Sequence, residues 1–296
     1  MDPHLLRTYV AVARLASFSE AARDLGYTQS AVSQHIAALE ADLGVPLLTR
    51  RPVAPTPAGE RLLEHAGSLL LRLDAARVDL ARFAAAPRGT LTLVASPLAL
   101  HPRVLAALPA AGVTLRTLPR DEVPAAVAVG EADLGLVDGL AAPSDPLRLP
   151  DVAPLTVRAV AEEPLVLVLP AGHPLAGRPG LDLADLVDAR WLDAPDAGFP
   201  LDRLRAVHGG PAGHGFRTAL RYEGTDVRAL AALAAAGHGL ALLPASAAAG
   251  VPGAVPVPLA APRLVHRTEL LHAGAEPAGP AAQLTRQLSL RAPNGR

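Results

Sequence analysis

Apolar residues in the first 44 positions recur with the period of an α-helix, in three short segments. Residues 5–13 predict a first helix, because their apolar side chains fall on one face at 3.6 residues per turn. Ser17 and Glu20 match the S-x-x-E capping box that begins a second helix, and Gly26 follows its last turn. These signals predict two short helices joined by a tight connection.

A third helix is predicted directly after them, with Thr28 as a suitable N-cap and Gly44 at its end. Its apolar stripe has spacings of four, three and four residues: Val32, Ile36, Leu39 and Leu43. Small and short polar side chains lie largely away from that stripe: Ser30, Ser33, Gln34 and Ala37. The helix therefore presents an exposed polar face.

Residues 47–56 contain two prolines and the pair Arg50 and Arg51. Proline is tolerated at strand edges and in turns but not inside helices, so this segment predicts a tight two-stranded wing.

One long helix is predicted after the wing. Thr56 is a suitable N-cap, Pro57 is a suitable first helical residue, and residues 58–84 contain no further proline. An a/d seam with alternating gaps of four and three runs along it: Leu62, Ala66, Leu69, Leu73, Ala76, Leu80 and Phe83. A buried helix of a globular core gives similar periodicity, but charged residues on the other faces favour a coiled-coil linker that dimerises.

Beyond a hinge at residues 87–89, predicted strands and helices alternate. The strands are residues 91–95, 113–118, 134–137, 165–169, 218–222, 240–243 and 269–272, and the helices are residues 101–110, 121–129, 183–187, 201–207, 226–236 and 281–290. This order predicts an α/β fold with parallel sheets, in two lobes between which the chain passes near residues 161 and 263. The expected domains are residues 1–58, a linker helix at 59–87, and a two-lobed domain at 88–296, with lobe I at about 88–161 and 266–290 and lobe II at about 162–265.

Composition excludes several functions. The sequence has no cysteine, which excludes disulfides, thiolate metal sites and thiol-based redox sensing. The net charge is −1, so evidence for a nucleic-acid partner must be local. No apolar run approaches the ~20 residues that cross a bilayer, and the N-terminus lacks a signal-peptide pattern, so we expect a cytoplasmic protein without a membrane partner. Every strongly basic residue is Arg, and there are 30 prolines, which is typical of a high-GC, actinobacterium-like genome.

Two N-terminal motifs resemble those of the LysR family of bacterial transcriptional regulators: SFSEAARDLGYTQSAVSQHIAALEADLGVPLLTRR at residues 17–51 and PTPAG at residues 55–59. Further along, GTLTLVAS, GEADLGLVDG, EPLVLVLPAGHPLA and AAGHGLALLPAS resemble the strand motifs of the family's effector domain, in the same order. The resemblance covers essentially the whole chain. The start of the third helix and the wing look closest to the branch that responds to arginine and lysine.

The resemblance implies a fold and a set of partners. The fold is an N-terminal winged helix-turn-helix, a coiled-coil linker and a two-lobed, periplasmic-binding-protein-like effector domain. The partners are double-stranded DNA, a small-molecule effector such as an amino acid or small carboxylate, a second or further copies of the chain in a dimer or tetramer, and RNA polymerase.

Within this motif, the third helix is expected to enter the major groove, where Gln can pair with adenine and Ser can bond to either kind of partner. The candidates for base contacts are Thr28, Gln29, Ser30, Ser33 and Gln34, and those for phosphate contacts are His35, Arg50 and Arg51. Thr56 is expected to cap the linker helix and is also a candidate for DNA contact. Five Arg in residues 1–58 are balanced by five acidic residues, so affinity should depend on additional subunits.

The effector is expected in the cleft between the lobes, near strand carboxyl ends and helix N-termini. The family resemblance places Ser96, the loop 194–199 and Thr225 in the pocket. The full set of candidates is Ser96, Pro97, Leu98, Asp138, Asp196, Phe199, Thr225 and Asp226. Alternatively, Ser96, Thr225 and Asp226 are only N-caps, and Asp138 and Asp196 are solvated loop carboxylates.

No residue pattern indicates catalysis, a metal or a cofactor. Ser96, His101 and Asp138 could be combined into a hydrolase triad, but no G-x-S-x-G elbow surrounds the serine. The pairs His208 with His214 and His266 with His272 are spaced six apart, which fits no helical metal pair and suggests surface or loop positions. Residues 237–239 lack the third glycine of a dinucleotide fingerprint.

Two other classes of protein stay open. A solute-binding or other non-catalytic small-molecule-binding protein would have a similar two-lobed domain, although the wing and the absent signal peptide argue against transport. An enzyme that uses its N-terminal helices only to dimerise is the second alternative, and it would tolerate changes at Ser33 and Gln34.

Overall fold

The computed structural model describes residues 1–84, 89–150, 152, 155–208, 215–274 and 276–289; of residues 75, 78, 79, 81–84 and 208 it describes the backbone alone. The chain divides into two compact units, residues 1–80 with 151–153 and residues 81–150 with 154–296. Among the described residues, no helix combines the length and the apolar character needed to cross a membrane.

The first unit is built from helices and one two-stranded ribbon. Its elements are α1 (Pro3–Leu15), α2 (Phe18–Leu25), α3 (Gln29–Leu43), β1 (Leu48–Arg50), β2 (Val53–Pro55) and α4 (Pro57–Ala84), whose last turn continues into the second unit. β1 and β2 pair antiparallel and form the wing. The sequence prediction of three short helices, a wing and a long helix is confirmed.

Local capping explains where these helices begin and end. The Ser17 hydroxyl accepts a hydrogen bond from the backbone N–H of Glu20 at 3.2 Å, and Thr28 accepts one from Ala31 at 3.2 Å. Gly26 ends α2 with φ +71°, a left-handed conformation that glycine adopts without steric cost. These predicted caps are confirmed.

The core of the first unit lies between α1, α2, α3 and the start of α4. Tyr9 of α1 and three residues of the α3 stripe, Val32, Ile36 and Leu39, have no exposed surface. The stripe prediction was wrong for Leu43, which lies in the last turn of α3 and is 38% exposed.

The second unit alternates strands and helices. Its elements are β3 (Leu91–Ala95), α5 (Pro102–Ala107), β4 (Val113–Thr117), α6 (Val123–Ala128), β5 (Leu134–Ala141), β6 (Leu155–Pro170), β7 (Leu181–Asp182), β8 (Arg190–Asp193), α7 (Leu201–His208), β9 (Arg217–Arg221), α8 (Val227–Ala235), β10 (Ala241–Pro244), α9 (Ala245–Ala248), β11 (Ala254–Ala261), β12 (Val265–Ala273) and α10 (Gly279–Ser289). Short 3-10 turns occupy Pro97–Ala99 and Leu183–Leu186.

Eight strands form one mixed sheet in the order β4–β3–β5–β12–β6–β11–β7, with β10 also paired to β6. β3 is parallel to β4 and β5, as predicted. β7 is also parallel to β11. The prediction of parallel sheets was wrong for four pairings, since β12 is antiparallel to β5 and β6, and β6 is antiparallel to β10 and β11. The apolar pattern of a strand does not encode its direction, and β6 and β12 lie side by side in opposite directions where the chain passes between the lobes.

Three strands were not predicted. β11 contains Pro256 and Pro258, which lack a backbone N–H and therefore argue against a strand, yet both residues pair with β6. β7 has only two residues, and β8 pairs in parallel with β9 outside the main sheet. Each lobe has its own apolar core, centred on Leu93 and Leu136 in the first lobe and on Trp191 and Phe216 in the second.

Candidate functional site

The outer face of α3 carries the residues that the sequence assigns to base contacts. Thr28, Gln29, Ser30 and Gln34 are exposed, and Ser33 is half-buried. The Thr28 hydroxyl lies 3.0 Å from the Ser30 hydroxyl. The face is therefore polar, accessible and held at its N-terminus by the Thr28 cap, as a helix that reads base edges requires.

His35 is partly withdrawn from this face. Its Nδ1 atom lies 3.1 Å from the Thr8 hydroxyl, and its ring packs edge-on against Tyr27 at 5.2 Å between centroids. The side chain fastens α3 to α1. This packing favours a positioning role over the predicted phosphate contact.

The two wing arginines have different surroundings. Arg50 Nη1 donates to the Ser33 hydroxyl at 3.3 Å, and the guanidinium lies 5.3 Å from the Phe18 ring centroid. Arg50 thereby links the wing to α3 and α2. Arg51 is exposed and forms no hydrogen bond or ion pair within the described part of the chain. Arg51 is therefore the wing cation that is free to contact a phosphate.

Thr56 is committed to local structure. Its hydroxyl donates to the Pro46 carbonyl at 2.8 Å and accepts from the Gly59 N–H at 3.1 Å. The predicted cap of α4 is confirmed. The hydroxyl donates one hydrogen bond and accepts another within its own unit.

The predicted dimer seam divides along α4. Ala66 is fully buried in the core of its own unit, with Leu62 and Leu69 packed beside it, so its assignment to an exposed seam was wrong. Leu73 is 38% exposed, Ala76 is exposed and Leu80 is 70% exposed. The last member, Phe83, lies outside the described side chains. Heptad spacing does not distinguish contact with a partner from contact with α1, whose Arg7 pairs with Asp74 of α4 at 2.5 Å.

A cavity of about 350 Å³ opens in the second unit. One wall comes from the first lobe, through the end of β5 and residues 142–150, and the other from the second lobe, through Phe199 and α7. A volume of this size suits a small metabolite. Hereafter this space is called the cavity.

Only two of the eight predicted effector residues, Asp138 and Phe199, line the cavity. Ser96 is buried behind Asp138, and Leu98 belongs to the apolar core of the second lobe. Pro97, Asp196, Thr225 and Asp226 do not line it. Asp226 caps α8 by accepting from two backbone N–H groups, whereas Ser96 makes no capping hydrogen bond.

Asp138 is a fully buried carboxylate, so its alternative interpretation as a solvated loop residue was wrong. The Ser96 hydroxyl donates to it at 2.5 Å, Arg120 Nη2 lies 2.9 Å away, and His266 Nε2 lies 3.3 Å away. Burial by itself would raise the pKa of Asp138, but Arg120, His266 and Ser96 together hold that pKa well below its usual range. The carboxylate is therefore a permanent negative charge beneath the cavity.

Arg120 connects the two lobes, and sequence reasoning missed it. Nε donates to the Asp138 carbonyl at 2.8 Å, Nη2 donates to the Gly198 carbonyl of the second lobe at 3.1 Å, and the guanidinium lies 5.6 Å from the Phe199 ring centroid. Arg120 follows β4, whose carboxyl end lies beside that of β3 in the parallel part of the sheet. That position was the available signal, because ligands bind at such ends.

A second ionic cluster supports the cavity wall. Arg267 of β12 pairs with Glu162 and with Glu269, the latter at 2.7 Å. The two glutamates accept backbone hydrogen bonds from Ser144 at 3.1 Å and Leu147 at 3.2 Å. The strands that pass between the lobes therefore hold residues 142–150 in place.

The histidine assignments need correction. His266 and His272 were expected at surface or loop positions, but both are buried on β12. His101 is also buried, and burial, partly opposed by Glu163, lowers its pKa. The side chain of His208 and all of His214 lie outside the described residues.

Comparison with known proteins identifies relatives over both units. The family model "Bacterial regulatory helix-turn-helix protein, lysR family" matches residues 3–60, and "LysR substrate binding domain" matches residues 84–293. The HTH-type transcriptional regulator BudR of Raoultella terrigena is 33% identical over 258 residues, which cover 83% of this chain and 85% of the relative. The HTH-type transcriptional regulator IlvR of Caulobacter vibrioides is 33% identical over 259 residues, 83% of each chain. The crystal structure of full-length CbnR complexed with its target DNA is 25% identical, with a TM-score of 0.53, and covers 97% of this chain and 98% of that one.

Proposed function

Because the chain belongs to the LysR family of DNA-binding transcriptional regulators, we propose that it binds a specific operator through α3 and the wing, and that a small molecule in the cavity modulates this binding. The observation that carries the proposal is the exposed polar face of α3 beside the free cation of Arg51. We assign DNA binding to residues 1–58, dimerisation to the linker at 59–87, and effector binding to residues 88–296. Self-association into a dimer or tetramer and contact with RNA polymerase belong to the same proposal.

The contacts divide into two kinds. Gln29 and Gln34 present amide groups that match adenine N6 and N7, and Ser30 and Ser33 present hydroxyls of either polarity. Arg51 supplies a phosphate contact that is independent of sequence. Arg50 contributes through Ser33, whose hydroxyl it holds.

We expect Gln29→Ala and Arg51→Ala to weaken DNA binding in different ways. The first should relax the preference at one base position, at a cost of about 1–3 kcal/mol there, because it removes a base-edge contact. The second should lower affinity for every DNA alike and reduce the salt slope by about one, because it removes one phosphate contact. Fluorescence anisotropy on an operator series at several salt concentrations measures both, with Arg178→Ala in the second unit as the control. Equal losses on every DNA for both variants would contradict these roles.

The cavity supplies the regulatory input. A ligand that contacts β5 on one side and Phe199 or α7 on the other favours whichever arrangement of the lobes it binds more tightly. Arg120 already contacts both lobes. A ligand bound in the cavity would therefore act directly on the hydrogen bond between Arg120 and the Gly198 carbonyl. In an oligomer, the rearranged lobes would alter the spacing of the DNA-binding units and hence the DNA bend.

Footprinting on the intergenic DNA upstream of the gene tests this function. We expect protection of a pseudo-palindromic site, because paired copies of α3 read two related half-sites. At least one compound from a panel of amino acids and small carboxylates should change the pattern. Absence of specific protection at low salt, with or without any compound, would favour the alternatives of a small-molecule-binding protein or an enzyme.

Three further assignments are part of the proposal. The protein catalyses no reaction, which the naming of its relatives as transcriptional regulators supports. It acts in the cytoplasm, where its DNA is. The exclusive use of Arg among strongly basic residues supports a source with a high-GC, actinobacterium-like genome.

A further inference from the structure

The charged side chains around the cavity are balanced in sign. Three arginines and three aspartates line it: Arg120, Arg148, Arg203, Asp121, Asp138 and Asp145. Arg120 and Asp138 pair with each other. The other two arginines and two aspartates are exposed and form no ion pair with any residue that the structure describes. The cavity therefore offers unpaired charges of both signs.

Arg120 presents a fixed donor to this space. Its Nε and Nη2 atoms are occupied by Asp138 and the Gly198 carbonyl, whereas Nη1 has no hydrogen bond within the described chain. The guanidinium is held by contacts with both lobes and lies near the Phe199 ring. The N–H groups of Nη1 are therefore fixed in position before a ligand binds. The N–H groups of Nη1 can donate charge-assisted hydrogen bonds to an anionic oxygen, such as that of a carboxylate.

A ligand with only a negative charge would pair with the arginines of the lining but not with its aspartates. A carboxylate at Arg120 lies near the fixed negative charge of Asp138 and shares the cavity with Asp121 and Asp145, which would repel it. An ammonium group on the same ligand would instead pair with those two exposed aspartates. The walls between the charges are apolar, with Leu147, Phe199 and Leu264 among them.

We propose that the cavity selects a zwitterionic amino acid with an apolar side chain. Arg120, together with the exposed Arg148 and Arg203, binds its carboxylate. Asp121 and Asp145 bind its ammonium group, and the apolar wall contacts its side chain. Arginine and lysine are disfavoured, because their second positive charge unbalances the neutral lining. This inference rests on the proposed function, since it names the ligand class of the same cavity.

Two sets of three probes test the proposal, and the probes of each set share the same apolar side chain. They are L-leucine, 4-methylpentanoate and 3-methylbutylamine, and L-phenylalanine, 3-phenylpropanoate and 2-phenylethylamine. Titration calorimetry on the full chain should show at least one zwitterion binding about tenfold or more tightly than its carboxylate or amine counterpart. Equal or tighter binding of the carboxylate or the amine overturns the proposal, and so does the absence of binding by both amino acids.

The paired substitution Asp121→Asn with Asp145→Asn then tests the mechanism of selection. Both residues are exposed, so folding should be preserved. We expect the affinity for the zwitterion to fall about tenfold and that for the matched carboxylate to rise, whereas Asp185→Asn, exposed but outside the cavity, changes neither. An unchanged preference in the paired variant overturns the proposal. Footprints without ligand separate this failure from failure of the regulator assignment, because they require no ligand in the cavity.

Discussion

Replacing Arg120 with alanine is expected to destabilise the second unit by about 3 kcal/mol, near the lower end of the range for breaking a buried ion pair. The side chain of Asp138 is fully buried and that of Arg120 is 16% exposed, so the variant removes the arginine that pairs with a buried carboxylate. Urea unfolding followed by tryptophan fluorescence measures the loss. Trp191 is the single tryptophan of the sequence and is fully buried in the second lobe, so its signal reports on this unit. The midpoint should fall by about 1 M or more.

The control for this prediction is the paired variant Arg120→Ala with Asp138→Asn. It removes the buried charge together with its partner, so part of the lost stability should return. If Arg120→Ala unfolded at the same urea concentration as the native chain, the pair would be too well hydrated to matter, and its place beneath the cavity would not be structural.

The DNA-binding unit could be predicted closely because its signals are local. The Ser17 and Thr28 caps, the positive φ of Gly26 and the proline at the start of α4 each act within four residues of their own position. The sequence could not show which face of α4 is covered. Ala66 packs within its own chain while Leu80 is open, and that depends on how far α1 reaches along the helix.

The cavity could be predicted only in outline. Its general place follows from the two-lobed pattern, but its charges come from contacts over long separations: Arg120 meets Asp138 through β4 and β5, and His266 reaches the same carboxylate from β12. The apolar pattern of β12 does not reveal the direction of the strand. The burial of His266 could therefore not be predicted from the sequence. The sequence offers Ser96 both as a pocket residue and as a helix cap, yet its hydroxyl bonds to Asp138 across the sheet.

Replacing Gly59 with alanine is expected to destabilise the DNA-binding unit by about 3 kcal/mol, the upper end for overpacking a close contact. A Cβ at this position would lie 2.2 Å from the Leu47 carbonyl oxygen and 2.5 Å from the Tyr9 hydroxyl. The carbonyl cannot move away freely, since it also accepts the backbone N–H of Thr56 at 2.9 Å. The new methyl group therefore forces α4 away from the wing and from α1, which should raise amide hydrogen exchange in both and abolish specific DNA protection.

Gly67 on the same helix is the matched control, because a Cβ there meets nothing within 4 Å. Gly67→Ala should stabilise α4 by up to about 1 kcal/mol through helix propensity and leave DNA binding intact. The same substitution is thus expected to lower stability at Gly59 and to raise it at Gly67, two turns away. The close approach of the backbone at Gly59 accounts for this difference. If both variants protected DNA equally and exchanged amides at the native rate, the close packing of Leu47 against α4 would be contradicted, and the glycine of the PTPAG motif would need another explanation.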